Sequence, residues 1–190
     1  MMEYIKLKKL CSIKHGYAFK GQYISQEENK NILVTPGNFH IGGGFKEDKC
    51  KYYTNENDIP DEYILKQNDL IVTMTDLSKE ADTLGYSALV PKNNQKIYLH
   101  NQRIGLIQDI KNEILNKDYL YWYMRTKKYH NEIVATSTGT TVHHTSPDRI
   151  LNVEIPIYDI STQLKIVKLL NLIEKKISLN THTNNNLLAA

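Results

Sequence analysis

The sequence predicts an α+β fold: a mixed, β-rich domain over residues 1–157, followed by one long C-terminal coiled-coil helix over 158–190. Three features of the chain predict it. Between Gly16 and Val90 short apolar runs alternate with Gly, Asn, Asp and Pro, the pattern of strands joined by polar loops. Over 118–135 the apolar spacing lengthens to that of a helix. From Ser161 onward neither Pro nor Gly occurs, so nothing interrupts a single helix.

In chain order, YIKLKKLCSIK (4–14) sets Ile5, Leu7, Leu10 and Ile13 where a short strand followed by a helical turn buries them, although either period fits. The runs ILVT (32–35), KYY (51–53), DLIVTMT (69–75) and SALV (87–90) read as strands. Between the first two, Ile41-Gly42-Gly43-Gly44-Phe45-Lys46 reads as a hairpin turn, the usual role of a glycine cluster. KIYL and RIGLI are further strands around the polar insert His100-Asn101-Gln102. DYLYWYMRTKKYHNEIVA reads as one helix, with Tyr119, Trp122, Tyr123, Thr126, Tyr129 and Ile133 on one face and Asp118 placed to cap its first turn. That aromatic face belongs to the core rather than to a platform for stacking bases. The Ser/Thr/Gly stretch ATSTGTT then leads through VHHTSP into a strand-like LNVEIPI.

In the terminal helix, Ile166, Leu170, Ile173 and Ile177 recur at spacings of four, three and four, the period of a coiled coil, and the seam continues through Asn180, Asn184 and Leu187. Asparagines at such positions lower stability but fix register and partner number. The alternative, a terminal helix packed on its own domain, stays open on this pattern.

A chain of 190 residues, 41% hydrophobic and 24% charged, suffices for one domain and an appendage. A net charge of +3 permits a polyanionic partner without identifying one. The kind of cation says more, since only three residues are arginine, Arg103, Arg125 and Arg149. Lysine binds phosphate as a point charge, whereas bidentate reading of guanine favours arginine. Base discrimination is therefore expected from Asn, Gln, Thr, Tyr or His, with Arg103 as the arginine to watch. Cys11 and Cys50 form no metal-binding spacing, and a reducing cytoplasm fits them. The N-terminal stretch alternates apolar residues with lysines, and no segment approaches about eighteen uncharged apolar residues, so neither an export signal nor a membrane span is expected.

Catalytic constellations are absent from the sequence. The glycine run at 42–44 lacks the lysine and hydroxyl spacing of a phosphate-binding loop. No Asn-Pro-Pro-aromatic string of amino-methyltransferases occurs, nor a Gly-rich cofactor turn. For a metal-dependent nuclease only Asp61, Asp109 and Lys111 make a loose match, at long spacing. His143 and His144 are adjacent, so on a strand they point to opposite faces and do not share an ion; one exposed contact residue and one core residue is the expected division. Neither a catalytic residue nor a bound metal or cofactor is expected.

Several strings in order resemble the target-recognition domain of type I restriction-modification specificity subunits: KLKKLCSIKHGYAFKGQYIS, GNFHIGGGF, LKQNDLIVTMTDLS, LGYSALVP, HNQRIGLI, and STGTTVHHTSPDRILNVEIPIYDISTQLKIVKLLNLIEKKISLN. The last resembles the family's passage into a spacer helix, with Ile155-Pro156-Ile157 and Gln163 in the family's places. The resemblance implies a non-catalytic subunit that binds double-stranded DNA and directs adenine methylation and cleavage by partner methyltransferase and restriction subunits. S-adenosylmethionine, ATP and Mg are then expected on those partners only. The full-length family pattern has two recognition domains and two spacers, whereas here one of each is found, without internal repeat. Pairing of two copies through residues of about 160–190, reading a bipartite site, is the expectation that follows. A natural half-subunit, a shortened chain and a silent copy remain open. The competing readings are a scaffold that uses the C-terminal helix without DNA specificity, and an autonomous nuclease.

DNA contacts are expected from loops that place small hydrogen-bonding residues beside lysines. Four segments qualify: 17–23 with Lys20, Gln22 and Tyr23; 42–46 with Lys46; 73–79 with Thr75 and Lys79; and 138–144 with Thr140, Thr141, His143 and His144, where Gly139 lets the backbone come close. Arg103 joins them. For Thr75 and Arg103 a structural role, as a strand end and as half of an ion pair, is the alternative.

Overall fold

A computed structural model describes residues 2–189, with side chains through Asn186; the seam position Leu187 therefore lies outside the described side chains. In chain order the strands are β1 (Glu3–Lys6), β2 (Ser12–His15), β3 (Ile24–Ser25), β4 (Asn31–Val34), β5 (Lys51–Tyr53), β6 (Ile64–Leu65), β7 (Leu70–Thr73), β8 (Thr75–Asp76), β9 (Ser87–Leu89), β10 (Ile97–His100), β11 (Ile104–Gln108), β12 (His143–His144) and β13 (Glu154–Ile157). The helices are α1 (Lys117–Tyr123), α2 (Lys127–Ala135), α3 (Pro147–Leu151) and α4 (Ile160–Ala189).

Two sheets form the centre. One is four-stranded and antiparallel, in the order β2-β11-β7-β9. The other is five-stranded, in the order β3-β5-β4-β10-β6, and mixed, because β10 runs parallel to β4. Both faces of the central strands are covered, which is why they read as continuous apolar runs rather than alternating ones. Along β7, Ile71 points between the sheets toward Ile32, Val34, Ala88 and Ile104, while Leu70 and Val72 point to a core shared with the helices. Along β4, Ile32 and Val34 share the inter-sheet core and Leu33 packs outward with Phe19, Tyr53 and Leu99. The result is helices on sheet on sheet, each layer sealed by one face of a period-two strand.

The predicted helix over 118–135 is two helices. Thr126 takes an extended backbone, and its hydroxyl accepts from Tyr129 N and donates to Tyr123 O. A threonine that can cap competes with helical continuity, so the chain breaks there while its apolar period runs on through Tyr129 and Ile133, both fully buried. The cap of α1 is Asn116, not Asp118: the Asn116 side chain accepts from the amides of Asp118 and Tyr119. The aromatic face is core, as Tyr119, Tyr123 and Tyr129 are buried and Trp122 packs at its edge. The segment read as a strand from Leu151 starts later, since Leu151 closes α3, which Ser146 caps.

Two devices fasten α4 to the domain. Asp159 accepts from the Thr162 amide and from the Ser161 and Thr162 hydroxyls; those bonds hold its carboxyl well below the usual range. The buried Gln163 carboxamide accepts from Asn116 N at 2.8 Å and donates to Ile114 O and Tyr158 O at 2.8 and 2.7 Å. Val167 is buried against the same core, and Ile166 packs at its edge. The first turns of α4 thus do pack on their own domain. Farther along, Ile173 and Ile177 are 48% and 61% exposed.

Candidate nucleic-acid interface

Three loops converge on one face, each held by identifiable bonds. The first is the glycine hairpin. His40 N and O bond to Gly44 O and Gly43 N, Phe39 bridges Phe45, and Gly42, Gly43 and Gly44 all have positive φ. Such a turn is open to glycine and strained for other residues. Behind it stands the fully buried Asn38: its carbonyl accepts from Thr35 N and its amide donates to Lys46 O, which fixes where the hairpin returns to the sheet. From the helix side, Arg125 Nε donates to Gly42 O at 3.0 Å.

The second loop follows β8. Asp76 is 3% exposed, and its carboxylate accepts from Ser78 N at 2.6 Å and from Thr83 N and Oγ1, both at 2.5 Å. Burial pushes this carboxyl up, but the hydrogen bonds from Thr83 and Ser78 outweigh it and leave the group below its ordinary range. Asp82 N on Ser78 Oγ completes a braced loop over 77–82. β8 pairs in turn with β12, Thr75 opposite His144 and Asp76 opposite His143, so the segment 138–144 is hydrogen-bonded to the segment 73–79. His143 Nε2 lies 3.2 Å from Lys79 O, which ties the two loop tips together.

The third is the β10–β11 turn, where the buried Asn101 side chain accepts from Arg103 N and leaves Gln102 and Arg103 exposed. Arg103, Lys46, Lys49, Lys51, Ile41 and Leu77 line a common cleft of about 350 Å³. Lys46, half-buried, lies 3.8 Å from the exposed Asp48, a long pair, and no ion pair involves Arg103, Lys49 or Lys51 among the described residues. Two carboxylates, Asp76 and Asp82, stand in the cleft wall against the four cations Lys46, Lys49, Lys51 and Arg103, so the cleft presents a surplus of positive charge. It also presents two apolar tips, Ile41 at 73% and Leu77 at 63% exposure.

The predicted contact residues fall into three groups. Lys46 and Arg103 line the cleft. Lys79, Thr140, Thr141 and His144 are exposed on the adjoining ribbon and its loops, with His143 half-buried; Thr75 is buried, its hydroxyl turned to His144 Nδ1 at 3.2 Å. Gly139, with φ +98°, serves the tightness of its own turn, since a Cβ there would meet Val142 O at 1.9 Å. Lys20, Gln22 and Tyr23 belong to another region, a short 3₁₀ turn beside the outer face of the five-stranded sheet. Lys20 pairs with Asp58 at 3.1 Å, which raises the lysine and lowers the carboxylate, and Tyr23 packs edge-on against Tyr53.

Sequence reading missed Lys49, Lys51 and Ile41, and within the segment 73–79 it singled out Thr75 and Lys79 but not Leu77. Lys51 opens the strand-like run KYY, but Lys49 sits in the turn before it, so no strand period marked the two lysines as one pair. Among the described residues no group of three or more His, Cys, Asp or Glu side chains is placed to hold a metal ion. No described helix is long and apolar enough to cross a membrane.

Comparison with known proteins agrees with this architecture. The family model for the type I restriction modification DNA specificity domain matches residues 1–189. No curated protein matches the chain. The S subunit of a type I restriction-modification system from M. genitalium has a TM-score of 0.67 at 17% identity, over 94% of this chain and 40% of that one. The HsdS subunit from Thermoanaerobacter tengcongensis gives 0.60 at 12%, over 94% and 38%. A chain from a structure on complex assembly and conformational transition of the type I R-M system gives 0.63 at 13%, over 94% and 39%. At these identities the likeness is one of fold, and the chain spans about two fifths of the length of each of these structures.

Proposed function

The chain belongs to the type I restriction modification DNA specificity domain family, and from that premise we propose that it selects a DNA sequence through the cleft at Arg103 while other subunits carry out the chemistry. The observation that carries this reading is the state of Arg103. Arg125 is engaged by Glu174, Tyr121 and Gly42, and Arg149 donates to Thr138 and His144 O. Arg103 alone keeps a guanidinium without a protein partner among the described residues, in a cleft with three lysines. A guanidinium so presented suits N7 and O6 of guanine, and the lysines suit the flanking phosphates.

The test is binding of the intact chain to duplex DNA. Affinity for random duplex should fall steeply with salt. Arg103→Ala should cost about 1–3 kcal/mol on the preferred sequence and relax preference at one base pair, with random duplex bound as before. Equal loss on every sequence would remove Arg103 from the reading set. Absence of salt-sensitive binding would overturn the DNA-reading role and favour a scaffold.

The finer reading is a homodimer in the cytoplasm, paired through α4 and docked with methyltransferase and restriction subunits that hold S-adenosylmethionine, ATP and Mg. Support comes from the free part of the helix. Contacts of α4 with the domain run from Gln163 to Glu174 and leave the seam residues Ile166 and Leu170 half-buried, while Ile173 is exposed within that stretch and Ile177, Asn180 and Asn184 are exposed beyond it. A two-fold particle would read a bipartite, palindromic site. Sedimentation should give a dimer; a monomer well above micromolar concentration would overturn the pairing.

A further inference from the structure

We propose that Leu77 reads the methyl group of a thymine beside the base contacted by Arg103. The proposal rests on the DNA-reading role of the cleft.

Leu77 is 63% exposed, although its neighbour Asp76 is 3% exposed. A leucine in water forgoes the gain of burial, which a free loop could recover by folding it down. This loop is not free. The Asp76 carboxylate is bonded to Ser78 N, Thr83 N and Thr83 Oγ1, the Ser78 hydroxyl holds Asp82 N, and His143 lies on Lys79 O. Ala81 is buried with a φ of +55°, so the loop also holds a left-handed residue in place. The bracing keeps an apolar side chain standing on the wall of a cation-lined cleft.

DNA offers one apolar group on its base edges, the thymine C5 methyl. It lies in the major groove, the groove in which guanine presents N7 and O6 to an arginine. Arg103 and Leu77 line the same cleft, so a guanidinium and an isobutyl group face one ligand. Lys46, Lys49 and Lys51 can meet its phosphates without reading sequence. Ile41 is also exposed, but on the glycine hairpin, without a buried carboxylate holding its loop. Asp76 is thus a positioning residue for Leu77.

The experiment selects preferred duplexes from a random pool with the intact chain, then replaces each selected thymine by uracil. That change removes the methyl and leaves every hydrogen-bonding group. For the unmodified chain we expect uracil at one position to weaken binding about fourfold, the worth of one buried methyl. Leu77→Ala should bind the thymine duplex about that much more weakly and be indifferent to uracil there, with random duplex bound as before. Asp76→Asn should keep random binding and lose the discrimination. Indifference of the unmodified chain to uracil at every position, selected sites without thymine, or equal loss by Leu77→Ala on all duplexes would overturn the assignment to Leu77 while leaving the DNA-reading role standing. No salt-sensitive DNA binding at all would remove both.

Discussion

Arg125 Nη1 lies 2.6 Å from Glu174 Oε1, joining the recognition domain to the long helix. The same guanidinium donates to Gly42 O from Nε and lies over the Trp122 ring, 4.5 Å from its centroid. Gly43 is bare where it meets this side chain, since a Cβ there would fall 2.5 Å from Arg125 Cγ. One residue therefore touches the cleft hairpin, the core helix and α4. The two ends of the pair are unequal, with side chains 17% and 45% exposed. Glu174→Gln should cost under about 1 kcal/mol, because solvent screens the exposed carboxylate. Arg125→Ala should cost about 2–3 kcal/mol through lost packing and an unpaired Gly42 carbonyl. Urea denaturation of both variants checks the inequality.

Lys20 and Lys51 are both exposed lysines, but Lys20 already has Asp58 for a partner. Lys51→Ala should reduce the slope of log affinity against log salt by about one, the count of one released counterion. Lys20→Ala should change that slope by clearly less. Titration of random duplex at several salt concentrations separates them; equal changes would put Lys20 in phosphate contact.

His100 is fully buried, and burial pulls its pKa from 6.5 down to about 4. The folded state therefore resists a proton that the unfolded chain accepts. Its contribution is fully present above pH 6.5 and is lost as pH falls toward 4. The loss should be about 3 kcal/mol over that interval. Urea midpoints at pH 7 and pH 4.5 should differ accordingly, and His100→Gln should flatten the difference.

Ile173 and Ile177 are exposed on α4, Ile173 beside its last contact with the domain at Glu174 and Ile177 beyond it. Replacing both by glutamate should convert a dimer to a monomer in sedimentation without lowering the thermal midpoint of the domain, since neither is buried in it. A dimer unchanged by the double substitution would move the contact elsewhere, with Leu172 and Leu179, 57% exposed on another side of the helix, the next surface to test.

Much of the fold was written locally. Leu70-Ile71-Val72 and Ile104 to Ile107 announce strands covered on both faces, and a run without Pro or Gly announces α4. The break at Thr126 was hidden because the apolar period crosses it unchanged; only the capping chemistry of threonine marks it. Sheet order was not legible either, since β10 pairs with β4 across more than sixty residues and no local pattern encodes that choice. The site divides the same way. Arg103 stood out by its scarcity, but the meeting of the hairpin, the Asp76 loop and the β10–β11 turn is a product of strand pairing. Lys20 looked free because Asp58, 38 residues away, was invisible to local reading.

β1 lies antiparallel against β13, with Lys6 opposite Glu154 and Glu3 opposite Ile157. The chain thus enters and leaves the recognition domain side by side, and α4 departs from the point of return. Everything between Lys6 and Glu154 is a closed excursion from one spot on the surface. An excursion of different length or different loops can begin and finish on the same pair of strands without changing the direction in which the helix sets out. In mechanical terms the domain is a cartridge on a two-pin socket: its loops are exchangeable, and the direction in which α4 departs survives the exchange.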